Sequence, residues 1–114
     1  MKNKPRQSHL LLIENAENDV IKLEGIQNYT KFVFEDGSYV MMSYTLKNYQ
    51  NFLKFPFVRV SKSFIVNLNF CSDFSPGTKK LWVSDGSEIQ ISRRRLTEVS
   101  VNLEKLWLVL GNSF

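Results

Sequence analysis

Cysteine and histidine are scarce in this sequence of 114 residues, which contains one of each. A single cysteine, Cys71, cannot form a disulfide within the chain, so we expect the protein to work in a reducing compartment. The histidine, His9, lies near the N-terminus, where it is badly placed for a Ser-His-Asp or Cys-His catalytic arrangement. Groups of residues at metal-ligand spacing and a glycine-rich phosphate-binding loop are also absent from the sequence. We therefore predict no enzymatic activity and no cofactor.

Long apolar runs are missing as well. The basic segment MKNKPRQSH is followed by only a short apolar run, residues 10–13, which does not suffice for a secretory signal. No window approaches the roughly 20 apolar residues that a membrane-spanning helix needs. We therefore expect a cytoplasmic protein without membrane insertion. The length predicts a single domain over residues 9–110, between a flexible N-terminal tail, 1–8, and a C-terminal tail, 111–114.

The composition is that of a folded, moderately basic domain. Hydrophobic residues make up 43% of the sequence and aromatic residues 13%, which is enough for a core. The formal net charge is +4, which favours a polyanionic partner without requiring one. Residues 59–95 contain seven basic and three acidic side chains, so this segment alone has a net charge of +4. The basic residues of this segment are Arg59, Lys62, Lys79, Lys80, Arg93, Arg94 and Arg95.

Alternating apolar residues and turn signals predict a mainly β fold of short antiparallel sheets and hairpins. Asp-Gly pairs at 36–37 and 85–86 are strong hairpin signals, and Ser-Pro-Gly at 75–77 indicates a further turn. The expected strands, apart from those in the segment described below, are 9–14, 20–26, 29–34, 38–42, 70–74, 78–84 and 88–91.

Two helices are expected in addition, one short helix in the middle of the chain and one at its C-terminal end. Ser43 is a candidate N-cap for the first, and Pro56 closes that segment. Ser92 is a candidate N-cap for the second, which Gly111 is expected to end.

Residues 57–67, FVRVSKSFIVN, are the segment around which the rest of the chain is organised. The alternation in the first half predicts a half-buried strand, and apolar residues resume after Ser63. The three polar residues between them, Ser61, Lys62 and Ser63, then form a tight connection that presents two hydroxyls and an ammonium group to solvent. The alternative is a polar turn between core strands with no further role.

Two other segments have side chains suited to nucleic acid. Arg93, Arg94 and Arg95 open the last helix, where the helix dipole disfavours cations, so an external anion such as phosphate would relieve the conflict. A solvated basic face is the alternative. Residues 28–31, Asn-Tyr-Thr-Lys, provide amide, phenol, hydroxyl and ammonium groups that can bond to base edges or phosphate oxygens, although the tyrosine can equally be an ordinary strand aromatic.

These segments resemble the LytTR DNA-binding domain of bacterial transcription regulators. The resemblance rests on FVRVSKSFIVNL at 57–68 and DGSEIQISRR at 85–94, with LEGIQNYTKFVFEDG at 23–37 and YTLKNYQNFL at 44–53 in support, and covers roughly 21–106. It implies short antiparallel sheets with small helices, and loops rather than a recognition helix in the DNA major groove. It also implies binding to direct repeats through two adjacent major grooves, with bending of the duplex between them.

The sequence departs from the family pattern at two points. Many relatives have histidine where this chain has Ser61, so a contact from that imidazole is missing here. Relatives usually also have an N-terminal receiver or membrane-sensor domain. These 114 residues include none, so we expect that the protein acts alone, that the sequence is a fragment, or that the signal arrives through a partner chain.

We predict a sequence-specific regulator of transcription that binds double-stranded DNA, with Lys62 and Arg94 contacting bases. Expected partners are DNA with direct repeats, a second copy of the chain on the same site, and a separate signalling or membrane sensor protein. A module that stacks single-stranded nucleic acid on Tyr29, Tyr39 and Trp82, or a protein–protein interaction module, are the alternatives. The full set of expected DNA-binding residues is Asn28, Tyr29, Thr30, Lys31, Arg59, Ser61, Lys62, Ser63, Arg93, Arg94 and Arg95.

Overall fold

Two antiparallel β-sheets dominate the part of the chain that the computed structural model describes, which is residues 19–110 without the side chains of 109 and 110. The predicted mainly β fold, with one short middle helix and one C-terminal helix, is confirmed. The predicted strand 9–14 and the two predicted tails lie outside the described residues. The elements are β1 (Val20–Ile26), β2 (Tyr29–Phe34), β3 (Tyr39–Met42), α1 (Leu46–Gln50), β4 (Phe57–Arg59), β5 (Phe64–Asn67), a 3-10 turn (Leu68–Phe70), β6 (Cys71–Ser75), β7 (Lys80–Val83), β8 (Glu88–Gln90), a second 3-10 turn (Arg93–Arg95) and α2 (Leu96–Leu110).

The order of the strands brings distant loops to one edge of the molecule. The first sheet has the order β3-β2-β1-β5-β4, and the second has the order β6-β7-β8. β1 and β5 are antiparallel, with Glu24 opposite Phe64. The end of β1 therefore lies beside the start of β5, and the β1–β2 turn is next to the 61–63 loop.

Strands β4 and β5, at one side of the first sheet, are buried on both faces. Phe57 and Ile65 pack in one apolar cluster with α1, while Val58 and Val66 pack in another with the second sheet and α2. The predicted half-buried strand is therefore wrong, because this part of the sheet lies between two clusters rather than against one. Only Arg59 in β4 is partly exposed.

Both helices begin later than the sequence suggested. α1 follows Thr45, not Ser43, and Thr45 makes no side-chain capping bond. The backbone N–H groups of Asn48 and Tyr49 donate to the Thr45 carbonyl instead. The end predicted at Gly111 lies outside the described residues.

The C-terminal helix α2 starts at Leu96, after the three arginines, which form a 3-10 turn of their own. Ser92 precedes that turn and makes no side-chain capping bond. The first turn of α2 contains Glu98, a carboxylate that suits the positive end of the helix dipole. The predicted conflict between three arginines and the dipole of this helix is thereby reduced.

Asn67 has a structural role at the end of β5. Its side chain is fully buried, and its Nδ2 donates to the Val20 carbonyl at 2.8 Å. Its Oδ1 accepts from the Asn69 N–H at 3.0 Å, which begins the 3-10 turn. This turn takes up residues 68–70, so the strand expected from residue 70 begins at Cys71.

Candidate nucleic-acid interface

The 61–63 loop is held by its own backbone and by the end of β1. The N–H of Val60 donates to the Phe64 carbonyl at 3.0 Å, which closes the connection between β4 and β5. The Ser63 N–H donates to the Ser61 hydroxyl oxygen at 3.2 Å, and the Gly25 N–H donates to the Ser63 carbonyl at 2.8 Å. Lys62, at the tip, is exposed. The loop therefore presents an ammonium group from an ordered backbone.

Arg59 lies beneath this loop and bonds to it. Its Nε donates to the Ser61 carbonyl at 2.7 Å and its Nη2 to the Lys62 carbonyl at 2.8 Å. Its Nη1 donates to Oε1 of Gln50, at the end of α1, at 2.7 Å. The guanidinium therefore connects the short helix to the loop.

The arginine turn, Arg93–Arg95, lies beside the 61–63 loop although it comes from the other end of the chain. The Ser92 N–H donates to the Val60 carbonyl at 2.9 Å, which joins the residue before the arginine turn to the residue before the loop. Arg93 and Arg94 are exposed. Arg95 is mostly buried, and its Nη1 lies 3.9 Å from a carboxylate oxygen of Glu98, which makes a weak ion pair at most.

The loop and the arginine turn enclose a depression of about 360 Å³, which we call the cationic depression. Among residues 19–110, no carboxylate lines it. Burial lowers the pKa of the Arg59 guanidinium, and the positive charges of Arg95 and Arg94 lower it further, so cationic groups crowd one another here. An anion in the depression would relieve this repulsion. The lining residues are Arg59, Lys62, Ser92, Arg94 and Arg95.

A second depression, of about 380 Å³, adjoins the first on the side of α1, and the two share Arg59 and Lys62. Gln27, in the two-residue turn between β1 and β2, lines it with a backbone φ of 55°. Thr45 and Lys47 also line it. These three residues are not among those predicted from the sequence. Gln27, Thr45 and Lys47 belong to no sequence motif that distinguishes them from ordinary surface positions.

The segment 28–31 is only partly available to a ligand. Asn28 is exposed in the turn and half of the Tyr29 side chain is exposed. Thr30 is fully buried, and its hydroxyl donates to the Tyr44 carbonyl at 2.6 Å, which differs from the base or phosphate contact expected for it. Lys31 Nζ lies 4.5 Å from the ring centroid of Tyr39, a cation–π contact. Neither Tyr29 nor Lys31 lines the two depressions.

Other chemistry has little support among residues 19–110. These residues contain no group of three or more histidine, cysteine or acidic side chains that could hold a metal ion. Burial raises the pKa of the Cys71 thiol to about 11, which disfavours the reactive thiolate. No helix in this range is long and apolar enough to cross a membrane.

Comparisons with known proteins identify the family and the fold of this chain. A family model described as the LytTr DNA-binding domain matches residues 12–104. Among solved structures, the chain is similar to the LytTr DNA-binding domain assigned to a methyl-accepting/DNA response regulator from Bacillus cereus. The TM-score is 0.67 at 24% identity, with 76% of this chain and 83% of that chain covered, which shows a shared fold. The curated proteins contain no match to the sequence.

Proposed function

Because this chain belongs to the LytTR family of DNA-binding domains, we propose that it is a sequence-specific regulator of transcription that reads double-stranded DNA through loops. The observation that supports this most is the bond between the Ser92 N–H and the Val60 carbonyl at 2.9 Å. It holds the 61–63 loop and the arginine turn side by side, so one rigid surface presents both Lys62 and Arg94.

Base contacts are assigned to the two exposed cations of the cationic depression. Lys62 and Arg94 project from connections rather than from a long helix, and both match guanine N7 and O6 in the major groove. A good contact of this kind contributes about 1–3 kcal/mol of discrimination against another base. Because these two side chains would supply the preference for guanine, replacing them should abolish that preference.

Phosphate contacts are assigned to other polar side chains of the 28–31 segment, the 61–63 loop and the arginine turn, whether or not they line a depression. These contacts would set the register without reading sequence. Asn28 and Tyr29, at the neighbouring turn, are available to a base edge or a sugar-phosphate group. Thr30 is buried, so it is not part of the proposed DNA-binding surface. The proposed phosphate contacts are Lys31, Ser61, Ser63, Arg93 and Arg95.

The arrangement on DNA and in the cell follows the family expectation. We propose that two copies bind a direct repeat, each inserting its loops into a major groove on the same face of the duplex. The protein would act in the cytoplasm, where bacterial DNA lies. The similar domain from Bacillus cereus is assigned to a response regulator. An input from a signalling or membrane sensor protein is therefore part of the proposal.

Selection of bound sequences from a random duplex DNA library tests this function, with affinity followed across salt concentration. We expect enrichment of two short elements in the same orientation, about one helical turn apart. The logarithm of the binding constant should fall steeply with the logarithm of salt concentration, because each neutralised phosphate contributes a slope of about −0.9.

Two results would replace this function with an alternative. Salt-sensitive binding without an enriched sequence, strongest on single strands, would identify a stacking module. No binding to either form of DNA would favour a protein–protein interaction module.

A further inference from the structure

The carbonyl groups of the 61–63 loop are all occupied by donors from outside it. The Ser61 and Lys62 carbonyls accept from Arg59 at 2.7 and 2.8 Å, and the Ser63 carbonyl accepts from the Gly25 N–H at 2.8 Å. A loop whose carbonyls are held in this way has few alternative backbone conformations. Arg59 supplies two of the three bonds.

The guanidinium of Arg59 is bonded to two separate segments of the chain. All three of its nitrogens donate, the third to Gln50 Oε1 at 2.7 Å. These bonds use the planar fork of arginine, which a lysine ammonium cannot reproduce at three separated acceptors. Three of the five N–H groups of the guanidinium are used in this way, so the bonding pattern is that of a brace between α1 and the loop.

From these contacts we infer that Arg59 is a positioning residue, which fixes the 61–63 loop so that Lys62 meets its base, and is not itself a phosphate contact. This inference rests on the proposed function and deepens it. Lys62 has four rotatable side-chain bonds of its own, so the direction of its ammonium group depends on the backbone from which it starts. Gln50 contributes to the same positioning, since its Oε1 accepts a hydrogen bond from Nη1 of Arg59.

The two roles predict opposite behaviour for a charge-conserving variant. Arg59→Lys keeps a cation at this position but cannot make the three bonds. If Arg59 positions the loop, Arg59→Lys should lower the preference for the selected base at the Lys62 position by about tenfold or more, with the salt slope unchanged. If Arg59 contacts phosphate, that variant should keep the base preference and lose little affinity.

Three further variants make the test independent of a folding defect. Gln50→Ala removes one of the three bonds without changing charge, and should lower the same base preference by a few-fold. Lys105→Gln is the control, because Lys105 is exposed on α2 and lines neither depression. It removes one positive charge, as Arg59→Gln does, and its base preference should stay that of the wild type. Arg59→Gln removes the charge, and its salt slope should equal that of the wild type.

The experiment is a titration of each variant with the selected duplex and with the same duplex substituted at single bases, at several salt concentrations. Hydrogen exchange of the Gly25 and Ser63 N–H groups in the free protein provides a second measurement. It should be faster in Arg59→Lys and unchanged in Lys105→Gln.

Unchanged base preference in Arg59→Lys and Gln50→Ala, with a salt slope about 0.9 smaller in Arg59→Gln, would overturn the inference and identify a phosphate contact. A wild-type protein that prefers no duplex sequence would instead overturn the proposed function, and this inference with it. Failure of the proposed function would be visible in the wild-type protein, whereas failure of this inference would be visible only in the variants. The two failures are therefore distinguishable.

Discussion

The two Asp-Gly hairpin turns and the 61–63 loop are all short connections between antiparallel strands, yet different groups hold them. In the turn at 36–38, the Asp36 Oδ1 accepts from the Ser38 N–H at 2.8 Å and from its hydroxyl at 2.5 Å. The turn at 85–87 repeats this pattern at 2.9 and 2.6 Å. Both glycines have positive φ values, +90° and +87°, which other residues adopt only with strain.

The 61–63 loop depends on residues far from it in sequence. Besides the local bond between Ser63 and Ser61, its backbone is held by Arg59, by Gly25 in β1 and, through Arg59, by Gln50 in α1. A turn of the first kind can form on its own, whereas this loop takes its shape only when two strands and a helix have assembled. The proposed DNA-reading geometry is therefore a property of the whole fold.

The largest effect is expected for Lys62→Ala, which removes the side chain that the loop presents and leaves the bonds that shape the loop. Discrimination at one or two bases should fall by about 1–3 kcal/mol, since the guanine contact is lost. Binding to the selected duplex and to its single-base variants would measure this. Retention of the full base preference would disprove the readout role of Lys62.

Gly25→Val should destabilise the fold and displace the loop. A Cβ at this position would lie 3.0 Å from Leu46 Cδ1, in the helix α1 that also supports Arg59. We expect a loss of about 1–3 kcal/mol in the free energy of unfolding. Thermal or urea unfolding measures it. Gly77→Val is the control, because a Cβ at Gly77 would meet nothing within 4 Å; an equal loss in both variants would contradict the account.

Asp85→Asn should cost more stability than Asp36→Asn, because the 85–87 turn also receives Lys22 from the first sheet. Lys22 Nζ lies 3.1 Å from Asp85 Oδ2 and 2.9 Å from the Ser87 hydroxyl. We expect about 1 kcal/mol for Asp85→Asn and a smaller loss for the exposed turn. Chemical unfolding of both variants measures the difference, and a larger loss for Asp36→Asn would be inconsistent with this ranking.

The contribution of Asp85 to the free energy of unfolding should depend on pH. Burial would raise the pKa of Asp85, but bonds from Ser87 and Lys22 outweigh it and lower the pKa below its usual value. The stabilisation from the Asp85 carboxylate is therefore fully present above the ordinary aspartate pKa. This stabilisation is lost as the pH falls from about 4 through the lowered pKa of the folded state. Asp85→Asn should lack this part of the acid dependence in unfolding experiments at pH 2–7.

Arg93→Ala is expected to have the smallest effect. Its side chain is exposed beside the cationic depression and does not line it, so it should weaken binding to all duplex sequences about equally. The salt slope should decrease by about 0.9, the value for one phosphate. A change in base preference would show that Arg93 reads sequence.

Features that are held by bonds within a short segment could be predicted from the sequence, whereas features that depend on distant residues could not. The turns at 36–38 and 85–87 were predictable because Asp, Gly and Ser within each turn make its bonds. The arginine turn and the 61–63 loop were also identified, from charge and from the family resemblance. Their contact through Ser92 and Val60 was not, because it depends on how the two sheets pack.

Roles that depend on assembled neighbours could not be predicted either. Thr30 has the hydroxyl of a surface contact, but its strand places it in the core, bonded to the Tyr44 carbonyl. Arg59 has the charge of a phosphate ligand, but its three acceptors belong to residues from two separate segments. In both cases the residue type permits two roles, and only the surrounding structure decides between them.

The most direct measurement of the central claim is a map of backbone amide NMR shifts during titration with the selected duplex. We predict that the changes concentrate at residues 27–29, 61–63 and 92–95, where the turn, the loop and the arginine turn meet. The turn at 36–38 should be unchanged, because its groups bond to one another. Changes centred on 36–38 and β3, with residues 61–63 unaffected, would contradict the account.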